Sequence, residues 1–136
     1  MSDLPLARLL VLGSRLAPGP GTEGEVRRLA AAVGDWDALL VRAEDEGVGP
    51  LLYWNLRDAT GAAPAAVLEA LRRAFLRNLA RNTVLYRELE TFLAPVRRDG
   101  LRAALTKGGR LALDVYPDPA LRPFWDVDFV VHPADW

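Results

Sequence analysis

The chemistry in this sequence is concentrated between Leu101 and Val131, where LRAALTKGGRLALDVYPDPALRPFWDVDFVV gathers a lysine, a glycine pair and two closely spaced aspartates. Asp126 and Asp128 fall in a run that reads as a strand, and a strand repeats every two residues. The spacing therefore predicts both carboxylates on one face, about 7 Å apart along the chain, with Val127, Phe129 and Val131 on the other. Two like charges beside a buried strand are unfavourable unless a cation offsets them, and hard carboxylate oxygens suit a divalent ion. Upstream, Lys107-Gly108-Gly109 follows an apolar run from Arg102 to Thr106 that reads as a short strand. A glycine pair lets a phosphate approach the backbone, a helix starting near Arg110 would aim its unpaired amides at that anion, and Lys107 adds a charge. Each motif alone has a plain reading, a turn for Lys-Gly-Gly and a solvated pair for Asp-x-Asp. Their combination along one strand, turn, helix and strand points to a nucleotide and a metal.

The elements that must position these residues are mostly helical. Pro5 opens a helix whose stripe is Leu6, Leu9, Leu10, Leu12 and Leu16, and Pro18-Gly19-Pro20-Gly21 reads as a loop. Thr22 with Glu25 has the capping-box pattern for a second helix that ends at Gly34. Asp35 caps a third helix that ends at Gly47, and after Gly49-Pro50 a fourth carries Leu51, Leu52 and Leu56. From Pro64 to about Arg98 runs the longest periodic stretch, through Leu68, Leu71, Phe75, Leu79, Tyr86, Leu89, Leu93 and Val96. Pro95 predicts a kink or break between Thr91 and Ala94, and Gly100 ends the helix. The expected organisation is a helical region over 1–100 followed by an incomplete sheet region over 101–136, an α+β chain.

Composition narrows the classes. Half of the 136 residues are hydrophobic and a quarter charged, which is an ordinary globular balance. Seventeen basic against eighteen acidic residues leave a formal charge of −1, so no global field favours nucleic acid or an anionic membrane. No cysteine is present, which excludes disulfides and thiolate metal sites. The apolar stretch from Leu4 to Leu16 is too short to span a bilayer, and Asp3 stands where a signal peptide would be basic. A cytoplasmic protein that makes no membrane contact is expected. His132, the only histidine, reads as a strand-end surface residue, since nothing stands ready to form a catalytic constellation with it. Arg72, Arg73, Arg77 and Arg81 share a helical stripe, but Glu69 can pair with Arg73, and a solvated face is the plainer reading than an RNA track. Trp36, Tyr53, Trp54 and Phe75 lie at helical spacing and read as core.

The segment YPDPALRP before an aspartate-hydrophobic-aspartate strand resembles the uncharacterised nucleotidyltransferase family of the DNA polymerase beta-like superfamily, as does GVGPLLYWNL with the long helix after Pro64. The resemblance extends over residues 35–131. It implies that Gly108 and Gly109 bind the nucleoside triphosphate, that Asp126 and Asp128 are catalytic ligands of two magnesium ions, and that Lys107 and Arg122 contact phosphate. It implies metal-dependent transfer of a nucleotidyl group from a nucleoside triphosphate, with AMP from ATP expected and other triphosphates left open, to a hydroxyl of a small molecule or protein. The fold it implies is the first strand-helix-strand of a nucleotidyltransferase core. Two departures stand out. Trp125 occupies a position that is usually small, and the superfamily's third carboxylate, carried on a later strand, has no counterpart here, with Asp135 too near to serve. The segment from His132 to Trp136 reads as the start of a further helix. A longer protein's front part, or an inactive relative that binds nucleotide or a protein partner, is the expectation for the 136-residue chain by itself.

Overall fold

Helix periodicity up to Gly100 and a change to strand periodicity after it build an α+β architecture. The computed structural model describes residues 4–17, 19, 21–59 and 61–135. Asp3, Trp136, and Pro18 and Pro20 of the expected loop lie outside the described residues. The chain divides into two units, one ending at Arg77 and the other starting at Asn78.

The first unit holds α1 (Leu4–Gly13), α2 (Thr22–Ala31), α3 (Trp36–Asp45), α4 (Gly49–Leu56) and the opening turns of α5 (Ala65–Arg98). Leu6, Leu9, Val26, Ala30, Leu39, Ala43, Leu52, Leu56, Val67 and Leu71 form one buried cluster. Burying each of the larger aliphatic side chains contributes about 1.5–3 kcal/mol. Asp35 caps α3 as its sequence suggests, accepting from the Ala38 amide at 2.9 Å. Gly47, at φ 66, takes the left-handed conformation that stops α3, and Pro50 sits in the first turn of α4. The capping box expected at Thr22 does not form. Gly21 is the N-cap, Thr22 is buried as the first helical residue, and Glu25 instead pairs with Arg8 at 2.6 Å, tying α2 to α1. Trp36 and Tyr53 pack against the buried cluster, and Tyr53 meets Phe75 with ring centroids 5.5 Å apart. Trp54 is half-buried with the Arg57 guanidinium 3.6 Å over its ring.

The second unit holds the rest of α5, β1 (Ala103–Thr106), α6 (Lys107–Asp114), a 3-10 turn at Pro119–Leu121, β2 (Asp128–Val131) and a 3-10 turn at Pro133–Asp135. The expected break before Pro95 does not occur, and α5 runs unbroken to Arg98. Thr91 and Pro95 lie on the exposed side of the helix, where water can satisfy the carbonyl that proline leaves without a donor. Gly100 at φ 72 then ends the helix, with the Leu101 amide donating to the Val96 carbonyl at 3.0 Å. β1 and β2 pair antiparallel, Thr106 opposite Asp128 and Ala103 opposite Val131. The ladder continues as His132 N donates to Arg102 O at 2.9 Å, and Asp135 accepts from the Arg102 amide and guanidinium. His132 is local in its role, its Nδ1 accepting from the Ala134 amide. Among the described residues, no helix is long and apolar enough to cross a membrane.

Candidate functional site

The site is assembled where β1 turns into α6 and β2 returns beside it. The helix starts at Lys107 rather than near Arg110, so Gly108 and Gly109 form its first turn and are not the turn itself. The reversal falls on Lys107, whose φ of 51 is the only positive value at a non-glycine among the described residues. The left-handed region costs an ordinary residue about 1–2 kcal/mol. Such strain persists where the surroundings over-determine it, and here they do. Lys107 follows directly on the Thr106–Asp128 rung, where Thr106 Oγ1 also donates to the Asp128 carbonyl at 3.1 Å. The Lys107 ammonium lies 3.1 Å from Asp128 Oδ1.

The glycines have a packing role that the backbone alone does not reveal. A Cβ on Gly108 would stand 2.8 Å from Phe124 Cβ, closer than real side chains come. Phe124 is 5% exposed and meets Tyr86 edge-on with centroids 5.4 Å apart. The Tyr86 hydroxyl donates to the Gly109 carbonyl at 2.7 Å, and burial pushes its ionisation upward from the ordinary value. The start of α6 is thereby seated on α5 and on the loop that leads into β2.

The loop itself is held by two buried carboxamides. Asn78 Nδ2 donates to Ala120 O at 2.5 Å, and Asn82 Nδ2 donates to both Pro119 O and Arg122 O, at 2.8 and 3.0 Å. Sequence reasoning missed both residues. Two asparagines four apart on the buried side of an apolar helix stripe were the available signal, because most buried polar groups have partners. Here both Nδ2 groups do, while Asn82 Oδ1 is buried without one. Leu121 and Ala120 are fully buried beneath them, and Asp118 caps the 3-10 turn by accepting from the Ala120 amide.

From this anchored loop the chain emerges at Trp125. Asp126 lies in a bend before the strand, because β2 begins at Asp128. The alternation expected to carry both aspartates thus covers only the second. Asp126 is exposed, while Asp128 is half-buried and shared with Lys107. The opposite face of β2 is also less buried than its apolar residues suggested: Phe129 is 36% exposed and touches the Phe92 ring at a centroid distance of 5.1 Å. A two-stranded sheet offers no layer deep enough to cover it.

Arg122 is half-buried, its Nε is shielded from solvent without a hydrogen-bond partner, and no carboxylate among the described residues pairs with it. Arg81 has no acidic partner either and lies over the Trp125 ring. The remaining arginines of the α5 stripe are occupied, Arg72 and Arg73 near Glu69 at 3.6 and 3.9 Å and Arg77 on Glu44 at 3.1 Å. Asp135 stands apart from the aspartate pair in role: its hydrogen bonds from the Arg102 side chain and amide hold its carboxyl below the usual carboxylate range. Among the described residues, no group of three His, Cys, Asp or Glu side chains is placed to hold a metal ion.

The site thus comprises a strained strand-to-helix turn at Lys107, a glycine pair in the first turn of α6 and a returning strand whose Asp128 meets the Lys107 ammonium. Residues 33–136 match the profile of the uncharacterised nucleotidyltransferase family, and the chain belongs to that family. No curated protein and no solved structure matches it.

Proposed function

We propose that this chain binds a nucleoside triphosphate at the start of α6 and serves magnesium-dependent transfer of its nucleotidyl group, AMP from ATP, to a hydroxyl of a small molecule or a protein. The hydroxyl oxygen, losing its proton, bonds to the α-phosphorus as the α–β phosphoanhydride bond breaks and pyrophosphate leaves. The observation that carries this reading is the proximity of the α6 start to Asp128, joined by the Lys107 contact at 3.1 Å. Amides at a helix start attract anions, so Gly108 and Gly109 would take the triphosphate. Arg122, without an acidic partner, would hold a phosphate oxygen, since a guanidinium matches that geometry. Lys107 would exchange Asp128 for phosphate as the ligand enters.

Magnesium fits the donors in kind. Both are carboxylates, Asp126 has no cationic partner among the described residues, and Asp128 already draws a cation in the Lys107 ammonium. When bound, magnesium would neutralise triphosphate charge and polarise the acceptor hydroxyl. Asp126 and Asp128 would hold it, and the seated loop would keep their backbone in place.

The test is calorimetric titration of the chain with ATP, with and without magnesium, beside transfer assays using ATP labelled on its α-phosphate. Asp126→Asn and Asp128→Asn should each remove the magnesium-dependent part of binding while circular dichroism stays unchanged. Retention of that component in both variants would refute the assignment. The Lys107 ammonium on Asp128, which occupies the place a metal ion would take, supports a second reading, a non-catalytic relative that binds nucleotide or a protein partner. That reading requires ATP binding, or partner binding, without label transfer.

A further inference from the structure

Trp125 is 74% exposed, yet it is fixed on one side. The Arg81 guanidinium lies 3.5 Å from the centroid of its ring, and Arg81 Nη1 reaches Asn78 Oδ1 at 3.4 Å. The residue before it, Phe124, is buried, and the carbonyls of Pro119, Ala120 and Arg122 are tied to Asn78 and Asn82. Single exposed apolar side chains are ordinary on protein surfaces. This one differs in being braced from behind, rooted in a loop tied to two buried asparagines and placed directly before Asp126.

We propose that the indole of Trp125, backed by Arg81, is the stacking platform for the base of the nucleoside triphosphate. An aromatic ring held with one face covered and the other open has little freedom to lose when a second ring stacks on it. A base offers the flat π-face such a platform takes, and stacking is tolerant of base identity. The charge on Arg81, unmatched by any acid among the described residues, polarises the indole from behind and favours an anionic ligand in front. The indole thereby adds base affinity to the site whose phosphate contacts the triphosphate reading gives to α6 and Arg122.

This inference rests on the triphosphate reading, and the test separates the two. The full chain is titrated with ATP and with inorganic tripolyphosphate, both with magnesium, as wild type, Trp125→Ala, Trp125→Phe and Arg81→Gln. Trp125→Ala should weaken ATP about 5- to 150-fold, the range of one base-aromatic stack, and leave tripolyphosphate unchanged. Trp125→Phe should recover most of the ATP affinity, and Arg81→Gln should fall between it and Trp125→Ala. The platform is refuted if Trp125→Ala binds ATP as the wild type does, or if it loses ATP and tripolyphosphate by the same factor. A wild type that binds tripolyphosphate as tightly as ATP refutes the platform while leaving the triphosphate site standing. A wild type that binds neither overturns both.

Discussion

Replacing Asn82 by alanine tests whether the buried carboxamides hold the loop that presents Trp125 and the aspartates. Asn82 is 1% exposed, and its Nδ2 is the donor to Pro119 O and Arg122 O at 2.8 and 3.0 Å. Each lost hydrogen bond costs about 0.5–1.5 kcal/mol, and carbonyls left buried without a donor add a desolvation penalty of about 1–3 kcal/mol. Alanine recovers at most about 0.7 kcal/mol in helix propensity. The net expectation for Asn82→Ala is a loss of about 1–3 kcal/mol, because removing Asn82 Oδ1, which is buried without a partner, offsets part of the cost. Asn82→Asp keeps the shape but turns a donor into an acceptor aimed at two carbonyl oxygens, so it should cost at least as much at neutral pH. Its carboxyl would have a raised folded-state pKa, since the protonated form can donate one of the missing bonds. Stability of the aspartate variant should therefore be greatest below the ordinary aspartate value of about 3.9 and decline as pH rises through the raised value. Urea unfolding followed by circular dichroism, with hydrogen exchange at the Leu121 and Arg122 amides, reads both effects. An Asn82→Ala variant within about 0.5 kcal/mol of wild type, with those amides equally protected, would show that the carboxamide does not hold the loop.

The two glycines should separate in the same unfolding assay. Gly108→Ala must displace the root of the Phe124 side chain, an overpacking of about 1–3 kcal/mol less the gain of alanine over glycine in a helix. Gly109→Ala meets only the flexible end of Leu105 at 3.4 Å and should be neutral or stabilising, and equal stabilities for the pair would contradict this. At Lys107, the positive φ predicts that Lys107→Gly is neutral to about 1 kcal/mol stabilising despite loss of an exposed ion pair, whereas Lys107→Val destabilises. A valine variant as stable as the glycine variant would deny strain at the turn. For pH, the Arg102 contacts lower the folded-state pKa of Asp135, so their contribution is present above the ordinary aspartate value of about 3.9 and disappears as pH falls through the lowered one. Amide protection at Arg102 should fade over that acid window in the wild type, and Asp135→Asn should remove the dependence.

Local patterns in the sequence determined most elements. Apolar spacing delivered the five helices before Gly100, Asp35 delivered its cap, and Gly47 and Gly100 delivered their stops, because each rests on contacts within a turn or on one residue's backbone preference. The motif pair that led to the family was likewise legible in order and spacing. What only the tertiary structure decided depends on partners distant in sequence. The Asn78 and Asn82 bonds join residues 37 to 42 positions apart, so no local pattern encodes which carbonyls they meet. The turn fell on Lys107 because Phe124, distant in sequence, requires Gly108 inside the helix, and β2 began at Asp128 because its pairing with β1 ends at Thr106. The exposure of Trp125 arises in the same way, since residue type favours burial, whereas in the fold the neighbouring Phe124 takes the buried place and Arg81 lies over the exposed indole.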